Sequence, residues 1–405
     1  MKILRRVLSI SLIALLLGII AFNLSLLYSP KYQTFDNCRL NQDLIYQLRH
    51  LKGKLQQGAA KEMQGIYPEG YLFINALYGL SWAEIPMDLP AESALYQEAH
   101  QEINWALTEL NSAEGKRVFN PNLSPAYGIF YQGWTNYLLG RKLALLPPAK
   151  RDSSEIRQFQ NSCEAILAAL ANQKSPYLES YSRSCWPADM VVAMASVALS
   201  AKIGQTSYET EITDWLDKVK QQPDSLGLIP HSVEWKSGKV REAARGNSQS
   251  LILNFLIEIE EEFARSQFEI YKEQFLDYRL FLPGIREHSQ GVDHNGDVDS
   301  GPVIWGIGGA ASLVGQRTMG VYGENAVAIG LRNSIETFGL GTTIKGEKSY
   351  LMGKLPIADA FIAWSNSIEA YEKNRLSTPK KWRFKIQLAS LIVILLGGFL
   401  VFRIW

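Results

Sequence analysis

The residues of this chain best suited to chemistry are carboxylates set against apolar sequence. In CWPADMVVAMAS, Asp189 opens an otherwise apolar stretch, where burial favours the protonated form that a general acid needs. Its structural alternative is a helix cap or an ion pair with Arg183. In GVDHNGDVDSGP, Asp293, Asp297 and Asp299 crowd one segment with Asn295, and crowded carboxylates raise one another's proton affinity while one stays ionised. The two segments together assign catalysis to Asp189 as acid and to Asp297 or Asp299 as base or nucleophile. The D-x-N-x-D spacing of Asp293, Asn295 and Asp297 also opens like a Ca2+ loop. The pattern then fails, with Val298 where the turn glycine belongs and Ile304 where the closing glutamate belongs. The bland alternative is an Asx-rich turn, with Asp299 or Ser300 capping a following helix whose first turn holds Pro302.

Other polar and aromatic residues stand at similar places. Glu69 lies in YPEGY, Tyr131 and Trp134 in YGIFYQGW, Cys185 and Trp186 in YSRSCWPAD, and His231, Glu234, Arg245 and Gln249 in the stretch leading into SLILNF. These are the candidate substrate-binding residues: an acid, a guanidinium and stacking rings suit a hydroxyl-rich ligand. Zinc is not indicated, because His231-x-x-Glu234 falls short of HExxH and the chain has 5 histidines. GIGGAA from Gly306 lacks a strand–turn–helix setting for a dinucleotide, and no phosphate loop is present. No cofactor is expected, Ca2+ at Asp293, Asn295 and Asp297 being the alternative.

These side chains act together only if the fold gathers them. The 405 residues are 47 % apolar and 20 % charged, a folding composition, and 41 basic against 40 acidic residues give +1, which argues against a nucleic-acid partner. The cysteines, Cys38, Cys163 and Cys185, allow at most one bridge, such as Cys163 to Cys185. Apolar positions recur at helical spacing with hardly any strand-like alternation. Helices rich in small and aromatic residues are predicted to start near Tyr71, Ile129, Ala188, Ser248, Val303 and Asp359, a repeat of about 57 residues. Between them run amphipathic stretches such as Ala94 to Leu110, Ser154 to Ala171 and Tyr208 to Val219. The first set belongs inside and the second outside. The expectation is all-α: an (α/α)6 toroid of six helical hairpins, with the loops before the inner helices converging on one cavity.

Over residues 60–370 the period and loop composition resemble the six-hairpin toroid superfamily of glycosidases, polysaccharide lyases and linalool dehydratase-isomerase-like enzymes. The resemblance is architectural and implies a pocket rather than a reaction. Cys185 is weakly similar to the cysteine used in the linalool dehydratase-isomerase pocket.

Both ends differ from the rest. Val7 to Leu27 follows Lys2, Arg5 and Arg6 and is long and apolar enough to cross a bilayer, with Ala21-Phe22-Asn23 a poor cleavage site. Ile386 to Phe402 repeats the pattern behind Lys380, Lys381, Trp382, Arg383 and Lys385. The domains read as an anchor over 1–29, the toroid over 30–379 and a second anchor over 380–405. The basic N-terminus places the soluble domain outside the cytoplasm, against the pull of the second basic cluster. The functional expectation is a two-span, membrane-anchored enzyme using paired carboxylates on a glycan, by hydrolysis or elimination. The alternatives are a non-catalytic cell-envelope scaffold and a dehydratase or isomerase of an isoprenoid alcohol, with Met190, Met194 and Trp305 as apolar wall. The expected partners are the bilayer and a small-molecule or glycan substrate.

Overall fold

A computed structural model describes residues 2–292, 294–377 and 380–404. Helix α1 (Lys2–Ser25) is followed by α2 (Gln42–Gln56), α3 (Ala59–Ile66), α4 (Gly70–Ala83), α5 (Ala94–Asn111) and the short α6 (Ala113–Lys116). Next come α7 (Gly128–Leu145), α8 (Ser153–Ala171), α9 (Pro187–Lys202), α10 (Glu209–Lys220) and α11 (Gly246–Ile259). The last five are α12 (Glu261–Phe275), α13 (Gly309–Val321), α14 (Asn325–Phe338), α15 (Pro356–Asn366) and α16 (Phe384–Ile404).

Helices α4, α7, α9, α11, α13 and α15 pack each on the next, and α15 packs back on α4, closing a ring. Around it α5, α8, α10, α12 and α14 each cover the inner helix that precedes them. The sixth outer place, against α15, is taken by α2 from the other end of the sequence. The protein is an (α/α)6 toroid flanked by two apolar terminal helices.

Composition decides which helix goes where. In α9 every residue from Pro187 to Val197 is buried, whereas α8 buries only Phe159, Cys163, Ile166, Ala169 and Leu170, one stripe at helical spacing. Small residues let the inner helices meet closely: a Cβ on Gly133 of α7 would sit 3.0 Å from the Ala193 nitrogen of α9. The ring's centre is closed by Phe73, Trp134, Phe255, Phe361 and Trp364, with Phe73 to Trp134 centroids 5.3 Å apart and Phe255 to Trp364 stacked at 5.8 Å.

Inner helices start by a common rule, since each opens on Gly or Pro. Proline there has no N–H to satisfy. Glycine admits a neighbouring carbonyl: a Cβ on Gly128 would meet the Ser180 oxygen at 2.4 Å, and one on Gly246 the Arg286 oxygen at 1.9 Å. Loop carbonyls then replace side-chain caps, Glu179 accepting from Ile129 N at 2.9 Å and Glu287 from Gly246 N at 2.8 Å. Each such bond ties one inner helix to the loop of the next.

The structure corrects four expectations. Five antiparallel hairpins interrupt the helices, at 32–41, 232–242, 276–285, 303–308 and 342–349. The fifth inner helix begins at Gly309, not Val303, because Val303–Ile304 pairs with Ile307–Gly308 across a turn. Asp299 and Ser300 therefore cap no helix; Asp297 accepts from both their N–H groups in an Asx turn. All three cysteines are free.

The terminal helices α1 and α16 pack on one another, with Gly397 set against Leu16. Both are long and apolar enough to cross a membrane. Helix α1 also docks on α14, where the Phe22 and Phe338 rings lie 5.5 Å apart and Asn333 Nδ2 donates to the carbonyls of Leu26 and Tyr28. The side chains of Lys380 and Lys381, expected in an interfacial belt, lie outside the described residues, as does Asp293 of the Ca2+ reading.

Candidate functional site

All six inner helices contribute to one cavity of about 750 Å3 at the end of the ring where their N-termini lie. The aromatic cluster forms its floor, with Phe73 and Phe361 belonging to both. The walls are dominantly aliphatic and aromatic. Its carboxyl groups are Glu69, Asp189 and Asp299.

Each carboxyl is placed by a different element. Glu69 is the residue preceding α4, and its carboxylate accepts from Tyr181 Oη at 2.7 Å. Asp189 lies in the first turn of α9, buried, with Ser180 Oγ donating to Oδ2 at 2.5 Å and Trp186 N donating in turn to Ser180 Oγ. Asp299 reaches the cavity from the loop before α13 and is open to solvent. Burial pushes the Asp189 carboxyl up to about 8, helped by the negative charges of Glu69 and Asp299 and opposed by the Ser180 hydrogen bond. Asp299 is raised too, by partial burial and then by Asp297 and Glu69. Asp189 thus feels the charges of both Glu69 and Asp299, and its burial keeps its proton on at neutral pH.

Beside them stands a second group. Arg245, the residue before α11, donates from Nε to Glu287 at 2.8 Å and from both terminal nitrogens to Asp297, at 2.7 and 2.9 Å. The Arg245 hydrogen bonds hold Asp297 well below the usual carboxylate range. Glu287 is fully buried, which raises its carboxyl to about 7 against the pull of Arg245. His231 lines the cavity, and its burial, with Arg245 nearby, lowers it to about 3, so it is neutral. Its Nδ1 is buried and has no hydrogen-bond partner among the described residues.

The other sequence-predicted residues fall into two groups. Trp186 lines the cavity, edge-on to Tyr181 at 5.8 Å. Trp134 is in the aromatic floor, Tyr131 hydrogen-bonds Leu110 O behind the wall, and Gln249 Nε2 holds Ile229 O. Cys185 donates its thiol to Leu178 O at 2.9 Å, and burial raises it well above the usual thiol range. Glu234 is on a surface turn, accepting from Lys236 N and Ser237 N. Met190 and Met194 are fully buried in the ring. Sequence reasoning passed over Ser180, Tyr181 and Glu287. The signal for Glu287 was present, since the charged triplet Arg286-Glu287-His288 directly follows the apolar LFLPGI.

No family model matches this chain, and comparison with curated proteins gives no match. Among solved structures it is similar to a selenomethionine derivative of a GH76 α-mannanase from Bacteroides thetaiotaomicron, at 11 % identity and a TM-score of 0.48, over 75 % of this chain and 86 % of that one.

Proposed function

We propose that this protein is a membrane-held enzyme that hydrolyses a glycosidic bond, its toroid outside the cytoplasm. The observation that carries the reading is the buried Asp189 set in one cavity with Glu69 and Asp299. Acid and base chemistry at neutral pH needs two carboxyl groups whose environments separate their titrations. Asp189 supplies the acid: with Ser180 donating to Oδ2, its proton sits on Oδ1, ready for the leaving-group oxygen. Asp299, solvent-facing, takes the proton of the attacking water as the sugar C–O bond breaks. Asp297 is neutralised by Arg245 and orients the loop that carries Asp299. Glu69, Trp186 and His231 hold the sugar. The basic N-terminus, Lys2, Arg5 and Arg6, supports the orientation.

The apolar walls favour one second reading, dehydration of an isoprenoid alcohol with the same Asp189 protonating the hydroxyl. The experiment that separates the two uses the full chain in lipid nanodiscs, a panel of glycans and isoprenoid alcohols, and Asp189→Asn. Release of reducing ends, falling by about 10²–10⁴-fold in the variant, is expected. A rate unchanged by Asp189→Asn, or an alkene product alone, overturns the hydrolytic reading.

A further inference from the structure

The cavity does not stop at the inner ring. Its wall continues onto the outer helix α14 through Leu331, Ile335 and Phe338. That is the helix on which the N-terminal anchor docks, with Ser25 Oγ donating to Thr337 Oγ1 at 2.8 Å and Phe22 against Phe338. Leu282 of the adjoining hairpin lines the cavity and also packs with Leu26 and Ile386 of the two anchor segments. The cavity therefore leaves the toroid on its anchor side.

The rim of that exit has an unusual composition. Leu280 and Trp305 line the cavity, and Phe281, Leu340 and Met352 stand next in the chain to the lining residues Leu282, Gly339 and Leu351; all five are 50 to 69 % exposed. All five hold positive φ, between 49° and 64°, a conformation that side chains of this kind rarely adopt. Turns of this sort favour Gly or Asn, which cost less and are polar or neutral to water. Here strained turns display large apolar side chains, and none of the described residues buries them. Continuity with two apolar anchors identifies what does: the hydrocarbon boundary of the bilayer.

We infer that the substrate is a membrane-resident amphiphile, a saccharide carried on a hydrocarbon chain, which enters from the bilayer past this rim. The chain lies along α14 and the sugar reaches Glu69, Asp189 and Asp299. The inference rests on the glycan reading of that site and adds the lipid tail, which accounts for walls too apolar for a free sugar.

The test uses the full chain in phosphatidylcholine nanodiscs containing a dodecyl glucoside with a photoactivatable diazirine on its alkyl chain. Expected is label on α14 wall residues, displaced by unlabelled dodecyl glucoside and not by glucose. A triple variant, Leu280→Ser, Phe281→Ser and Trp305→Ser, alters exposed positions, so it keeps its melting temperature while labelling drops at least about tenfold. Label confined to α1 and α16, displacement by glucose, or unchanged labelling in the triple variant overturns the inference. So does a dimer whose rims cover one another, seen as doubled mass without cavity label. Labelling does not require turnover. Cavity label without Asp189-dependent hydrolysis removes the glycosidase reading and keeps the amphiphile, and the reverse result does the opposite.

Discussion

At the residue scale the site is a problem of three carboxyl groups in one cavity, and its signature is pH dependence. Folded Asp189 holds its proton to about 8, whereas an unfolded aspartate releases it near 4. Between those values ionisation of Asp189 favours the unfolded chain, so this residue's contribution to stability declines as pH rises. Asp189→Asn has no such decline. The variant's melting temperature relative to wild type should climb by several degrees from pH 4 to pH 8, and a difference that stays constant would mean the carboxyl is ionised throughout. Glu69 carries the next test. Its charge raises Asp189, so Glu69→Gln should move the alkaline limb of kcat/KM to lower pH, a shift that loss of a mere packing contact does not produce. Arg245 acts differently, because it neutralises the fully buried Glu287 and the Asp297 loop together. Arg245→Met leaves a buried charge without a partner, and urea unfolding should show a loss of about 3–5 kcal/mol.

At the scale of elements, the inner helices were legible because a helix buried on all sides needs small and apolar residues throughout, as in MVVAMASVAL. The starts near Tyr71, Ile129 and Ala188 fall one residue after the observed Gly70, Gly128 and Pro187. The hairpins were not legible. Two-residue strands such as Val303–Ile304 have no alternation to read, and the 276–285 hairpin turns on Leu280 and Phe281 where a turn would announce itself with Gly or Asn. Glu69, Asp189 and Asp299 could be picked out as acids among apolar neighbours, but which acid faces the cavity depends on loop paths, as Glu234 on its surface turn shows. The glycine rule gives this scale its prediction. Gly65 of α3 has nothing within 4 Å of an added Cβ, so Gly65→Ala should stabilise the fold by about 0.5–1 kcal/mol. Gly246→Ala must displace the Arg286 carbonyl and break the bond that joins α11 to the loop of α13, and it should lower the melting temperature by many degrees. Equal effects of the two substitutions would leave the stitched-loop account without support.

At the scale of the whole molecule, one buried lysine ties the toroid to the segment that follows its N-terminal apolar helix. Lys348 is 2 % exposed, with Nζ 2.9 Å from Glu336 of α14, 3.4 Å from Asp43 of α2 and 3.1 Å from the hydroxyl of Tyr28, the first link after α1. Its ammonium also lies 4.2 Å from the centre of the Tyr28 ring. A single charge thus ties the anchor linker, the N-terminal outer helix and the helix that walls the cavity. Lys348→Met removes it and leaves Asp43 and Glu336 without a cation, held only by the hydroxyls of Tyr28 and Tyr350, which should cost about 3–5 kcal/mol in urea unfolding. Amide exchange at Tyr28 and its neighbours should rise above the change seen in the inner helices, because the linker then keeps only the neutral hydrogen bonds of Asn333 and Tyr28 and the exposed contact of Arg375 with Ser29. If that tie matters for substrate entry, hydrolysis of a bilayer-borne glycoside should fall further than hydrolysis of a short soluble one, since the carboxyl groups of the cavity are untouched. Equal losses on both substrates, with exchange raised evenly across the ring, would make Lys348 a stabiliser of the toroid and nothing more.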